Sequence, residues 1–131
     1  LAAMHAGVSK DVEGFERGYD TLLGERGVNL SGGQKQRISI ARALIKAPKV
    51  LLLDDCLSAV DTETEDSILS AIHQNEASCT ILVSHRLASL RGASRILVLD
   101  EGRLVETGTP EELLEAGGLY ATMHAQQQAE R

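Results

Sequence analysis

The chain has 131 residues, enough for one domain with a moderate core, and carries a formal net charge of −6. That acidic balance argues against nucleic-acid binding through a broad basic surface, and an aromatic content of 2% argues against base-stacking platforms. No apolar run is long enough to span a bilayer and no signal peptide is visible. Cys56 and Cys79 lack CxxC or Cys/His spacing and read as reduced, mostly buried thiols, and the histidines form no metal-site pattern. The sequence opens at Leu1 inside an apolar stretch with no cap before it, which reads as a piece of a longer protein.

Leu1 to about Asp20 has helical character interrupted by Gly7, Gly14 and Gly18, with Ser9 placed to cap a short helix toward Phe15. Thr21 to Leu30 reads as a connector punctuated by Gly24-Glu25-Arg26-Gly27. The clearest helix runs from Gln34 to Lys46. Ile38, Ala41 and Ile45 share one face, Ile40 and Leu44 widen it, Lys46 sits in the last turn, and Pro48 stops it. Lys35, Arg37 and Arg42 read as a solvated or interface face. Val50–Leu53 is short and continuously apolar, as in a parallel strand buried on both faces, and it ends in Asp54-Asp55. A helix follows from about Asp61-Thr62, where Thr62 and Glu65 have capping-box spacing and Ile68, Leu69 and Ile72 give a buried face.

Thr80–Val83 is a second strand of the same kind and ends at Ser84-His85. Ile96–Leu99 and Arg103–Val105 flank Asp100-Glu101-Gly102 as a hairpin. Thr109-Pro110-Glu111-Glu112 combines a cap, a proline at the first helical position and an acidic first turn. The last helix is notched at Gly117-Gly118 and frays into Gln126–Gln128. Strand–helix–strand order with polar residues at both strand ends indicates an α/β sheet with parallel strands. Ligands in such sheets sit beyond the carboxyl ends of the strands, where Asp54, Asp55 and His85 fall.

Leu30-Ser31-Gly32-Gly33-Gln34 stands directly before the clearest helix. A small hydroxyl residue and two glycines there expose backbone N–H groups, permit close approach and present the positive end of a helix dipole, which suits phosphate. The pentapeptide matches the LSGGQ signature of ATP-binding cassette (ABC) ATPases. In order along the chain, it is followed by the acidic strand end Val50–Asp55, by Ser58-Ala59-Val60-Asp61 and by His85. This order resembles the second half of an ABC nucleotide-binding domain over essentially the whole chain. Gly18-Tyr19-Asp20-Thr21, Ser84-His85-Arg86-Leu87 and Glu106-Thr107-Gly108-Thr109-Pro110 resemble the exporter branch.

The resemblance implies a partial P-loop NTPase fold, with a C-terminal hairpin and helix. Residues 1–46 would be the end of the helical subdomain with the signature helix, and residues 47–131 the C-terminal part of the catalytic core. It implies ATP and Mg²⁺ as ligands, with Asp54 as the magnesium carboxylate, Asp55 orienting the attacking water and His85 at the γ-phosphate. Leu30, Ser31, Gly32, Gly33 and Gln34 would close over ATP held by a second nucleotide-binding domain, and Asp61 would lie at that interface, with N-cap of the following helix as its rival role. The family usually has glutamate where this chain has Asp55. A carboxylate one methylene shorter is set back by about 1.5 Å, one C–C bond. That places fast hydrolysis at this chain's own site in doubt and points to a heterodimeric exporter with one competent site.

No G-x-x-x-x-G-K-[ST] phosphate loop occurs in these residues, so the chain holds only part of its own ATP pocket. The expected setting is the cytoplasmic face of a membrane, beside transmembrane helices outside this chain. A soluble ABC ATPase of DNA repair or translation is the competing reading, but neither basic tracts nor a coiled-coil insertion supports it. A phosphate-receiver domain would explain Asp54-Asp55 but leave Leu30–Gln34, Asp61 and His85 without a role.

Overall fold

The structure is a computed structural model that describes residues 1–24, 28–74 and 79–130. Part of the Gly24–Gly27 connector therefore lies outside the described residues. The chain divides into two compact units, Leu1–Ser84 and His85–Arg131.

In the first unit, short helices α1 (Ala2–His5) and α2 (Ser9–Glu13) precede a 3-10 turn at Gly18–Asp20. Gly7, with φ +70, makes the reversal between α1 and α2. Ser9 is the first residue of α2 rather than its cap, and its hydroxyl donates to Glu13 Oε1 at 3.1 Å. Helix α3 spans Gly32–Leu44 and so begins before Gln34, because Ser31 caps it. Its most buried residues are Ile40 and Leu44, one helical turn apart, whereas Ile45 is 74% exposed. The apolar face is thus centred one residue earlier than the Ile38–Ala41–Ile45 reading. Lys46 lies beyond the helix, and Arg42 is the basic residue of its last turn. Ala47 at φ 46 completes the exit ahead of Pro48.

Strand β1 (Val50–Asp54) pairs in parallel with β2 (Cys79–Val83), and helix α4 (Thr62–Gln74) lies between them in sequence. The register sets Leu51 beside Thr80 and Asp54 beside Val83. The expected burial on both faces is corrected here. Leu51 and Leu53 are 3% and 2% exposed, but Val50 and Leu52 are 58% and 63% exposed. The reason is one-sided cover: Ala6, Val8, Ile40, Leu44, Ile68 and Ile72 converge on the Leu51/Leu53 face. In α4, Ile68 and Ile72 are fully buried, with Leu69 packed at the core's edge.

The second unit begins with a 3-10 turn at Leu87–Leu90 and continues as an antiparallel hairpin of β3 (Ile96–Asp100) and β4 (Arg103–Gly108). Glu101 and Gly102 both have positive φ, 48° and 74°. This is the two-residue turn whose twist matches that of paired strands. Helix α5 (Pro110–Ala116) starts on a reciprocal Thr109–Glu112 capping box and ends at Gly117 in the left-handed conformation. The last segment is a separate helix, α6 (Leu119–Ala129), so the glycine notch is a full break. Leu87, Ile96, Val98, Leu113 and Tyr120 form this unit's core.

Ile68 is fully buried and Ser70, on the same helix, is exposed. In the protein that carries this chain, Ile68→Ala is expected to cost about 2–5 kcal/mol through lost burial and a residual cavity. Ser70→Ala should stay within about 0.5 kcal/mol. Urea unfolding of the two variants checks the difference.

Candidate functional site: a glycine turn beside an acidic strand end

Ser31 sits in extended conformation before α3 and makes a reciprocal cap. Its Oγ accepts from the Gln34 N–H at 3.2 Å, and its own N–H donates to Gln34 Oε1 at 3.0 Å. This satisfies two groups of the turn. The Gly32 and Gly33 N–H groups, at the first two helical positions, find no acceptor among the described residues. Two free donors on glycines stand at the positive end of a 13-residue helix, an arrangement that favours an anion. Leu30 precedes the turn and is half-buried, while Ser31 and Gly32 are exposed.

The turn is held against the loop after β1. A Cβ built on Gly33 would lie 2.7 Å from the Ala59 carbonyl oxygen, whereas one on Gly32 would meet only Ala59 Cβ at 3.5 Å. Gln36, one turn into α3, closes the contact. Its Oε1 accepts from the Ala59 N–H at 2.9 Å, and its Nε2 donates to Ser58 Oγ at 2.8 Å and, more weakly, to the Asp55 carbonyl at 3.5 Å. Sequence reading missed Gln36, since an isolated glutamine on a helix carries no periodic signal. Arg37 is also not a solvated charge. It donates to the Gly7 carbonyl at 2.6 Å and the Gly33 carbonyl at 3.3 Å, and pairs with Asp11 at 2.8 Å.

Asp54 is the last residue of β1, and Asp55 follows in the left-handed conformation with φ 51. Aspartate is among the non-glycine residues that adopt this region most readily. The Asp55 N–H still donates to the Val83 carbonyl at 2.9 Å, so the turn leaves the sheet only after its ladder is complete. Both carboxylates lie beyond the carboxyl end of a parallel strand and are exposed. An open cleft of about 240 Å³ beside them is lined by Lys35, Gln36, Ser39, Asp54, Asp55 and Cys56. Burial, reinforced by the two neighbouring carboxylates, pushes the Cys56 thiol up, so it stays protonated.

No group of three metal-ligating side chains occurs among the described residues. The Asp54 carboxylate is a hard oxygen donor, the type that Mg²⁺ takes alongside phosphate and water.

Asp61 caps α4: its carboxylate accepts from the Thr64 N–H at 3.0 Å and the Thr64 hydroxyl at 2.7 Å. These two hydrogen bonds hold its carboxyl below the ordinary aspartate value. The cap is thus Asp61 with Thr64, not Thr62 with Glu65; Glu65 is instead 5% exposed within the fold. His85 opens the second unit with an exposed side chain. Gln127, from the stretch expected to fray, holds its backbone: Nε2 donates to the His85 carbonyl at 2.7 Å, and Oε1 accepts from the Leu87 N–H at 2.9 Å. The first unit therefore brings together Ser31, Gly32, Gly33, Gln34, the Asp54-Asp55 turn and the Ser58–Asp61 loop, and His85 belongs to the other.

Gly33 has ordinary helical φ, so Gly33→Ala tests the contact with Ala59 free of backbone strain. It should destabilise the protein by about 1–3 kcal/mol through overpacking against a backbone oxygen. Gly32→Ala should be neutral or slightly stabilising, because alanine favours a helix by up to about 1 kcal/mol. Thermal unfolding of both variants decides it; equal effects would contradict the geometry.

The ABC transporter family profile matches residues 4–58. The chain is 52% identical over 123 residues to the mitochondrial potassium channel ATP-binding subunit of Pongo abelii, covering 93% of this chain and 17% of that protein. It is 49% identical over 128 residues to the ATP-dependent lipid A-core flippase of Aromatoleum aromaticum, covering 96% of this chain and 21% of that one. Among solved structures, a bacterial Atm1-family ABC exporter with ATP bound matches with a TM-score of 0.90 and 47% identity, over 97% of this chain and 23% of that chain. The chain thus spans about a fifth of the length of these relatives. Signature turn, acidic strand end, fold and relatives agree: the chain belongs to the ABC transporter ATPase family, as part of a nucleotide-binding domain.

Proposed function

We propose that this chain is the signature-bearing part of the ATPase subunit of an ABC exporter, and that Leu30–Gln34 closes over ATP held by a second nucleotide-binding domain. The observation that carries this reading is the pair of unengaged N–H groups at Gly32 and Gly33. They lie on a turn in which the Ser31–Gln34 cap already satisfies two other groups. A free donor pair at the start of a helix fits a phosphate group. Residues 1–46 supply this closing element, and residues 47–131 supply the carboxylates and the histidine of the chain's own site. Alone, without the phosphate loop, this portion does not sustain hydrolysis.

At the chain's own site Asp54 would hold Mg²⁺, which neutralises charge on the phosphoryl group during transfer. Asp55 orients the attacking water, His85 reaches the γ-phosphate, and Asp61 lies at the interface between the two domains. Transmembrane helices outside this chain carry the substrate, and the ATPase works at the cytoplasmic face of the membrane. Because phosphoryl transfer depends on position, a carboxylate set back by about 1.5 Å can cost roughly a hundredfold. We therefore favour a heterodimer in which this chain's signature serves the faster site, on the partner.

Ser31→Arg tests the trans assignment. It adds bulk where serine and two glycines permit close approach, so hydrolysis at the partner's site should fall at least tenfold while this chain's own site is spared. The check is a heterodimer in which the two sites are followed separately; the reverse pattern overturns the assignment. Asp55→Glu should raise turnover at the chain's own site by about ten- to a hundredfold. It should also cost some stability, because glutamate tolerates the left-handed region at position 55 less well than aspartate. Single-site turnover with the partner's catalytic carboxylate disabled reads the first effect, and thermal unfolding reads the second.

A further inference from the structure

We propose that Asp11 is a positioning residue for the signature turn: its carboxylate sets which end of the Gln34 amide faces Ser31. A glutamine amide has an acceptor end and a donor end. The acceptor end, Oε1, completes the cap by taking the Ser31 N–H at 3.0 Å. The donor end, Nε2, then points toward α2, where Asp11 Oδ1 accepts it at 3.1 Å. With the amide reversed, two N–H donors would face each other at Ser31, and two oxygens would face each other at Asp11. Both hydrogen bonds would become repulsions, so an ionised, acceptor-only group at position 11 selects one orientation.

Asp11 is itself held in place. Its Oδ2 pairs with Arg37 Nη1 at 2.8 Å, with both side chains half-buried. The same Nη1 donates to the Gly7 carbonyl at 2.6 Å, and Arg37 Nε donates to the Gly33 carbonyl at 3.3 Å. The contacts therefore form a ring: Ser31 to Gln34, Gln34 to Asp11, Asp11 to Arg37, and Arg37 back to Gly33. It starts and ends within the turn whose glycine N–H groups are free. The hydrogen bond from Gln34, and then Arg37, hold the Asp11 carboxyl below its ordinary value, so it is ionised at neutral pH. Each end of the Gln34 amide is engaged once, so Gln34 holds Ser31 and Asp11 together. The inference rests on the proposed trans role of the turn and adds the element that orients it.

The test exchanges amide and carboxylate in the full-length protein paired with its partner domain. Asp11→Asn removes the second acceptor and sets an amide against Arg37. Gln34→Glu keeps the acceptor for Ser31 but sets a carboxylate against Asp11. Each single variant should lower kcat at the partner's site at least tenfold, with KM for ATP within about twofold. The double variant restores a donor–acceptor pair with its polarity reversed and should recover at least half of the lost rate. Additive losses would mean that Asp11 and Gln34 act independently, and a merely structural role predicts equal losses at the two sites. Additive losses, an unchanged kcat in both single variants, or equal losses at the two sites overturn the inference. If Asp11→Asn does not fold, recovery is read by adding it to Gln34→Glu, and failure of that pair to regain activity is equally fatal. Ser31→Arg run in parallel separates the two claims. If it stops the partner's site while the single variants do not, only the positioning inference fails. If it spares the partner's site, the trans reading fails too.

Discussion

The capped glycine turn at Ser31 is the constraint on which the first unit's chemistry depends. Gly32 and Gly33 are poor helix formers, and a helix start made of them would fray in isolation. The reciprocal Ser31–Gln34 cap holds the start of α3 without using the two glycine N–H groups. Gln36 and the Gly33–Ala59 contact then fix that start against the loop that follows Asp54 and Asp55. Arg37 and Asp11 fix it from the opposite side. The turn thus presents two donors on a start tied down from both sides, which suits the closing role proposed for it.

One residue, Gln36, links the signature turn with the acidic strand end. Its amide joins α3 to Ser58, Ala59 and the Asp55 carbonyl. Asp55 in turn is tied to the end of β2 through Val83 and adopts a left-handed conformation that aims the chain off the sheet. Gln36 therefore joins the start of α3 directly to the acidic turn.

Much of this was legible in the sequence because local chemistry dictated it. Ser31 through Gln34, the Thr109–Glu112 cap with Pro110, the Glu101-Gly102 hairpin turn and the apolar strand ending in Asp54-Asp55 each combine residue types that tolerate few other local structures. What could not be read there depends on distant neighbours. The partition of β1 into a buried Leu51/Leu53 face and an exposed Val50/Leu52 face follows from which helices cover it. Arg37 looked like a solvated charge because Asp11 is 26 positions away, and periodicity cannot link them. Gln127 sits in a polar run that composition marks for fraying, yet both ends of its amide clamp the backbone at His85 and Leu87.

The most direct test of the central claim is chemical proximity at position 31. Ser31→Cys, in an otherwise cysteine-free full-length protein, would be mixed with a partner domain preloaded with an ATP analogue bearing a thiol-reactive group on its γ-phosphate. The account predicts a covalent adduct between this chain and the nucleotide carried by the partner, lost when the partner's phosphate loop is disabled. An adduct that forms only with nucleotide bound by the chain's own subunit, or no adduct under conditions that drive the two domains together, would contradict it.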